Sequence, residues 1–314
     1  MNRSRFPRRL ALPVLLSILA GPGHAQQLPD TTFDTHVARP AYAADGPRVL
    51  FDEAHHNFHT STGRYLPFAR LMRADGCRLT PNSDKFSAAT LRDADILVIA
   101  NALGHEKMDH DDAAKPAFSP DECDAVRGWV GAGGALLLIA DHAPMGDAAR
   151  GLGERFGVDM RAAYTTDSER AVDGRPTILG YSAGRGLADA HPIIRGRDIT
   201  ETVRRVVCFT GQSLSGPPGS VSLLTLSPRA VDLLVRLGER LDHVKPEQRQ
   251  PAAGRSQGLA FTYGKGRVVV LAEAAMMTAQ VAGGRRVPMG MNAPGNDDRQ
   301  FALNVMRWLG GGLQ

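Results

Sequence analysis

This chain lacks most of the features that assign a protein quickly. Its 314 residues include 3 cysteines, Cys77, Cys123 and Cys208, an odd set without CxxC spacing. That pattern supports neither a disulfide framework nor a thiolate zinc site. Three buried small apolar residues are expected, with one bridge plus a free thiol as the alternative. No segment reaches the ~20 apolar residues that cross a bilayer. There is no internal repeat, no long low-complexity tract and no zinc signature such as HExxH.

An excess of charge is missing as well. The formal charge is +4, but Arg3, Arg5, Arg8 and Arg9 fall in the first 25 residues, which hold no acid. Without those four, Lys+Arg drops from 37 to 33 and equals the 33 Asp+Glu. A nucleic-acid or acidic-membrane partner is therefore not implied. The same residues read as an export signal: a basic start, an apolar run from Ala11 to Ala20, and the small-x-small site Gly23-His24-Ala25. The mature chain is expected to begin at Gln26, periplasmic or secreted, with no membrane span after cleavage. Pro7 and Ala11 fit a twin-arginine signal poorly, and no Cys follows the apolar run to carry a lipid anchor.

What remains reads as an irregular arm at 26–46 and one α/β domain at 47–314. Short apolar runs at 48–52, 94–100 and 135–140 predict strands buried on both faces. Tyr65, Phe68, Ala69, Leu71 and Met72 recur at near-helical spacing before Gly76. Ser119-Pro120-Asp121-Glu122 predicts a helix start, with Ser119 as cap, Pro120 in the first position and Glu122 completing a capping box. Further strands are expected at 203–210, 221–226, 258–263 and 267–272, the last two joined by Gly264-Lys265-Gly266. A final helix carries Phe301, Val305, Trp308 and Leu309 on one face, with Asn296 or Asp297 as its cap. The order predicts a doubly wound, mostly parallel sheet flanked by helices, with an antiparallel C-terminal hairpin.

Ligands in such sheets bind beyond the carboxyl ends of the strands. Three strands end in acid or acid plus imidazole. Asp52, Glu53, His55 and His56 follow the first, Asp141 and His142 follow 135–140, and Glu273 follows 267–272. Asp52, Glu53, His55 and His56 are the candidate ligands of Zn²⁺ or another divalent cation. Asp141, His142 and Glu273 are the candidate catalytic groups. Metal-free acid/base work, sugar binding, or mere capping of helices and loops are the alternatives. Asn57, Asn101, Gln212, Ser213 and Asn292 are candidate substrate contacts.

Three other stretches carry a weaker signal. Gly180-Tyr181-Ser182-Ala183-Gly184 matches GxSxG, but Gly186 and Pro192 break any helix after it, so a turn is the expected structure. The stretch from Asn101 to Phe118, with His105, Glu106, Asp109, His110, Asp111 and Asp112, is a lid or a solvated excursion. The stretch Arg285 to Asn296 is expected to pass over the site, while Asp297 and Asp298 already satisfy the following helix N-terminus and argue against a phosphate there.

Val49-Leu50-Phe51-Asp52, Asp95 to Asn101, Gly133 to Ile139, His191-Pro192-Ile193, Gly264 to Val268 and Asn304 to Leu309 together resemble the class I glutamine amidotransferase-like superfamily. More narrowly they resemble its exported bacterial branch related to the GIFT and trehalose-utilisation-type domains. The resemblance covers roughly residues 47–310 and implies fold more than chemistry. Family amidotransferases carry a nucleophilic Cys in an elbow after a central strand, where this chain has Ala140-Asp141-His142-Ala143-Pro144. Glutaminase activity is therefore not expected. The functional expectation is a metal-assisted hydrolase of an envelope or extracellular small molecule, a carbohydrate or amide. The alternative is a non-catalytic module that binds a saccharide or another envelope component.

Overall fold

The structure, a computed structural model, describes residues 27–43, 45–235 and 237–314. The expected export signal lies outside the described residues. Seven strands form the central sheet, in the order Val221–Ser222, Gly258–Tyr263, Gly266–Leu271, Ala135–Ile139, Ile96–Ala100, Arg48–Asp52 and Arg78–Asn82. The last five run parallel. Gly258–Tyr263 returns antiparallel on Gly266–Leu271, and Val221–Ser222 adds antiparallel to its outer edge. The mostly parallel α/β sheet and its C-terminal hairpin are thus present.

Alternation along the strands sorts the core into two layers. Ile96, Val98 and Ala100 face one cluster with Leu137, Val269, Phe68 and Phe301, so the helices Leu66–Ala74 and Asp298–Leu309 cover that face. Leu97 and Ile99 face another with Leu136, Val268, Val130 and Leu152, so Pro120–Gly131 and Met145–Glu154 cover the opposite face. Burial on both sides is why Ile96–Ala100 and Ala135–Ile139 are unbroken apolar runs. Ser119 and Glu122 form the expected capping box. At the last helix Asn296 Oδ1 accepts from the Asp298 N–H, while the Asp297 carboxylate accepts from Arg204 and Arg205 N–H instead.

The structure departs from expectation at several elements. Arg78–Asn82 is a strand despite Pro81, because it lies at the sheet edge where a missing N–H costs no ladder bond. The 221–226 strand shrinks to Val221–Ser222. Between Ala135–Ile139 and the hairpin the chain builds further small sheets. Arg175–Ser182 pairs with Arg205–Phe209, and Ala230–Leu233 lies between Tyr164–Asp167 and Arg249–Pro251. The N-terminal arm is not wholly irregular, since Gln27–Pro29 pairs with Ala279–Ala282. Ala279–Ala282 pairs in turn with Val287–Gly290, which ties part of the 285–296 stretch into that sheet. Cys77, Cys123 and Cys208 are buried and free. Among the described residues no helix is long and apolar enough to cross a membrane.

Candidate functional site

The chain order of the central sheet reverses at Arg48–Asp52, which is followed first by the strand on one side and then by the strand on the other. That is the topological switch point where crevices open in α/β sheets. Here the loops leaving it are stitched together: Phe58 N–H donates to Asn101 O at 2.9 Å, and Leu103 N–H to His55 O at 2.9 Å. Backbone strain gathers at strand ends, with positive φ at His56 (49°), Asn101 (52°) and Thr210 (75°). Such conformations persist where the surroundings over-determine them.

Asn101 and Asp141 leave adjacent strands and clasp each other. Asn101 Nδ2 donates to Asp141 Oδ2 at 2.9 Å, and the Asp141 N–H donates to Asn101 Oδ1 at 3.0 Å. Asp141 Oδ1 is buried with no partner. Burial pushes the Asp141 carboxyl well above the usual carboxylate range, and the charge of Glu273 pushes it further; the Asn101 amide only partly offsets this. Glu273, 1% exposed, accepts from Ala275 N–H at 2.6 Å and Met276 N–H at 2.9 Å. Burial still raises it to about 7.

His142 is half-buried and stacks on Tyr164, ring centroids 4.0 Å apart. Its Nδ1 lies 2.8 Å from Ala143 O, the partner of an Nδ1–H donor, which leaves Nε2 as the acceptor. Burial lowers its pKa to about 4, so the ring is neutral at physiological pH. Gln212 sets the height of this segment. Its Nε2 donates to Ala140 O and Asp141 O at 2.8 and 3.0 Å, and its Oε1 accepts from Ala162 N–H. Gly146 must be glycine for that packing, because a Cβ there would come 2.6 Å from Gln212 Nε2. Gln212 therefore positions the Asp141 backbone and is too buried to touch a ligand.

The expected metal set does not assemble. His55 is buried between two carboxylates, its Nδ1 2.8 Å from Asp52 Oδ1 and its Nε2 2.8 Å from Glu122 Oε1. Its ring is flanked by Phe86 and Phe118, at 4.6 and 4.7 Å. Both ring nitrogens are spent, so neither lone pair is open to a cation. Glu53 turns to the Ser61 N–H and hydroxyl, and His56 is exposed. Among the described residues no group of three or more His, Cys, Asp or Glu is arranged to hold a metal ion. Zn²⁺ needs its ligands converging at ~2 Å, and these residues do not fit it.

Other expected contacts prove structural. Asn57 donates to Asp52 Oδ2 and accepts from His55 N–H. Ser213 lies in a separate network, donating to Asp232 Oδ2 and accepting from Arg255 Nε, each at 2.6 Å. Asn292 donates to Asp30 and to Gln280 O and so pins the N-terminal arm. Ser182 ends the Arg175–Ser182 strand opposite Arg205 and leads into a turn closed by Arg185 N–H on Ser182 O, so no nucleophile elbow forms. In the 101–118 stretch His105 and His110 stack at 3.9 Å beside a short 3₁₀ turn, Asp111–Ala114.

Sequence reasoning missed Glu122, Tyr65, His59 and Arg64. Glu122 was legible only as a capping residue, yet it also holds His55 and the Phe86 N–H. Burial raises its pKa, but hydrogen bonds from Ser119, His55 and Phe86 win and bring it to about 2. Tyr65 donates to Ala274 O at 2.6 Å, and its ring lies 4.8 Å from that of His59. His59 sits in the same histidine-rich run as His55, which is the signal that was available. An open cleft of about 530 Å³ is lined by Val235, Glu239, Val244 and Gln248, and one of about 260 Å³ by Arg48, Arg78, Thr90 and Asp93. Neither touches the strand-end groups.

No protein-family profile matches the chain, and no curated protein matches it. Among solved structures, the mmIFT52 N-terminal domain superposes with a TM-score of 0.58 at 13% identity, over 83% of this chain and 97% of that one. This shows a shared fold and no more. A ThuA-like protein from Bacteroides uniformis matches with a TM-score of 0.47 at 13% identity, over 87% and 93% of the two chains. A cytoplasmic protein from Salmonella typhimurium LT2 gives 0.45 at 14% identity, over 84% and 98%.

Proposed function

We propose that the chain is an exported saccharide-binding module of the glutamine amidotransferase-like fold, with its ligand held at the Asn101, Asp141 and His142 strand ends. One observation carries this reading: the strand ends present amide, imidazole and carboxyl groups without a nucleophile elbow and, among the described residues, without a metal set. The neutral His142 imidazole and the part-exposed Asp141 carboxyl, which the buried Asn101 amide holds in place, can exchange hydrogen bonds with sugar hydroxyls. The half-exposed rings of His142 and Phe58 supply apolar faces of the kind that pack on sugar rings.

Hydrolysis is supported less well. A base works best with a pKa near the operating pH, and His142 at about 4 is too weak. Glu273 at about 7 has the right value, but it is buried and both its oxygens accept backbone N–H groups.

Calorimetric titration with maltotriose, cellotriose and chitotriose tests the reading. At least one should bind without being cleaved, and Asn101→Ala should weaken it about tenfold by leaving Asp141 without its partner. Cleavage that vanishes in Asp141→Asn would replace binding by catalysis, and absence of binding to any sugar would remove the proposal. Export is tested by the intact mass of secreted material, which should correspond to a chain starting at Gln26. A mass that still includes residues 1–25 counts against it.

A further inference from the structure

Tyr164 covers one face of the imidazole at this site. The two rings stack nearly parallel, 4.0 Å between centroids and 18° between planes. One edge of the imidazole is closed as well, because Nδ1 meets Ala143 O at 2.8 Å. Nε2 and the opposite face are what the half-buried ring keeps for a ligand.

Tyr164 comes from outside the central sheet. It opens the strand Tyr164–Asp167 and lies opposite Leu233 in the small sheet. Its ring is 9% exposed and packs with Leu233, Val235 and Val244. Two hydrogen bonds fix how that strand meets the site: Thr165 N–H donates to Gly211 O at 2.9 Å, and Thr165 Oγ1 to the buried Asp232 Oδ1 at 2.6 Å. On the imidazole side, Ala143 N–H donates to Ala162 O at 3.0 Å, two residues before Tyr164. The segments that carry the two rings are therefore bonded to each other, and the stack belongs to the framework.

A stacked ring does two things to an imidazole: it fixes the plane in which the nitrogens point, and it displaces water that an imidazolium would need. Loss of water lowers the His142 pKa to about 4, and the Ala143 carbonyl offsets this only in part. The flanking groups do not reverse it. Tyr164 is raised by burial and then by the Asp141 charge, so its hydroxyl keeps its proton. Asp141 is itself raised, by burial and by the Glu273 charge. Asp147 and Arg150, on the helix that follows His142, are paired with each other at 2.6 Å.

We infer that Tyr164 is the positioning residue of the strand-end site: it holds His142 in one plane and in its neutral form, with Nε2 as the acceptor for a sugar hydroxyl, and so keeps binding level as the surroundings turn acid. The inference rests on the saccharide-binding reading above and adds to it a residue and a pH range. Tyr164 acts through His142 and touches no ligand itself.

Two measurements on the mature protein test it. NMR titration of the His142 ring reads the imidazole without any sugar, and calorimetry with maltotriose, cellotriose and chitotriose reads affinity against pH. In the wild type His142 should titrate at about 4, and affinity should be level between about pH 8 and 5.5. Tyr164→Leu keeps apolar bulk for Leu233 and Val244 but has no flat face. There His142 should titrate closer to its ordinary 6.5 than to 4, and affinity should fall about tenfold between about pH 8 and 5.5 as Nε2 gains a hydrogen. Tyr164→Phe, which restores the face without the hydroxyl, should match the wild type in both measurements. Melting curves establish that each variant is folded. If Tyr164→Leu is not, the wild type and Tyr164→Phe decide the matter: His142 near 4 in both upholds the stack, and near 6.5 in either overturns it. A titration unchanged in Tyr164→Leu, or a wild-type affinity that already falls toward acid, overturns the role of Tyr164 and leaves saccharide binding standing. Binding of no sugar by the wild type overturns this inference together with the reading beneath it.

Discussion

At the scale of single residues, the cost of this site is concentrated in Asp141. Its Oδ1 is buried without a partner and a second buried carboxyl, Glu273, raises its pKa further. A group whose folded pKa lies above its unfolded value stabilises the fold below the unfolded pKa, and that contribution is lost as pH rises toward the folded one. Asp141 therefore weighs against stability at neutral and alkaline pH. Asp141→Asn keeps an oxygen for the Asn101 amide and cannot ionise, so at pH 8 it should be more stable than the wild type by about 1 kcal/mol or more. At pH 4, close to the ordinary value of 3.8, the carboxyl of the unfolded chain is only partly ionised, so the gain should be much smaller. Urea unfolding at the two pH values checks this, and a difference independent of pH would show that Asp141 ionises normally. The same substitution should weaken saccharide binding, the usual exchange of function for stability at a strained site.

At the scale of elements, the sequence was legible wherever one local signal served one purpose. Ile96–Ala100 and Ala135–Ile139 could be read because burial on both faces leaves only apolar residues. The helix after Ser119 could be read because its cap is a local hydrogen-bond pattern. Arg78–Asn82 could not, because its permission to hold Pro81 comes from lying at an edge, a fact of the assembled sheet. The candidate site divides in the same way. That Asp141, His142 and Glu273 leave strand ends follows from chain order and strand prediction. That His55 is locked between Asp52 and Glu122 does not, since Glu122 arrives from a helix 67 positions away. A histidine beside acids looks like a metal ligand in one dimension; only the third shows both its nitrogens already taken. The structural partners of Ser213 and Asn292 were hidden for a related reason. Their partners, Asp232 and Asp30, lie in the small sheets and the arm that local patterns did not reveal.

At the scale of the molecule, the buried titrating groups oppose one another, and their balance can be measured. His59 is buried and His142 and His191 are half-buried, and they are lowered to about 3, 4 and 4, each mainly by loss of water. Groups depressed in this way stabilise above their ordinary value of 6.5, and the contribution is lost as pH falls toward the folded value. Asp141, Glu273 and Asp298 are buried and raised, so theirs is lost as pH rises above the ordinary carboxylate range. Each group contributes a slope of about 1.4 kcal/mol per pH unit where it titrates differently in the two states. Between about pH 4.5 and 6.5 three rising contributions meet three falling ones, and stability should be nearly flat. Above that window the histidines no longer contribute a slope while the acids still do, so stability should decline. Below it, Glu122 and other hydrogen-bonded carboxylates join the histidines, and stability should fall steeply. Two substitutions should tilt the plateau in opposite directions. His59→Phe removes one rising contribution and one unpartnered buried nitrogen, so stability should increase at the acid end of the window and fall with pH across it. Asp141→Asn removes one falling contribution and should make stability rise with pH. Urea midpoints of the three proteins at half-unit steps decide the point: parallel curves would mean that these groups do not titrate as buried partners of one fold, and a crossing pattern would mean that they do.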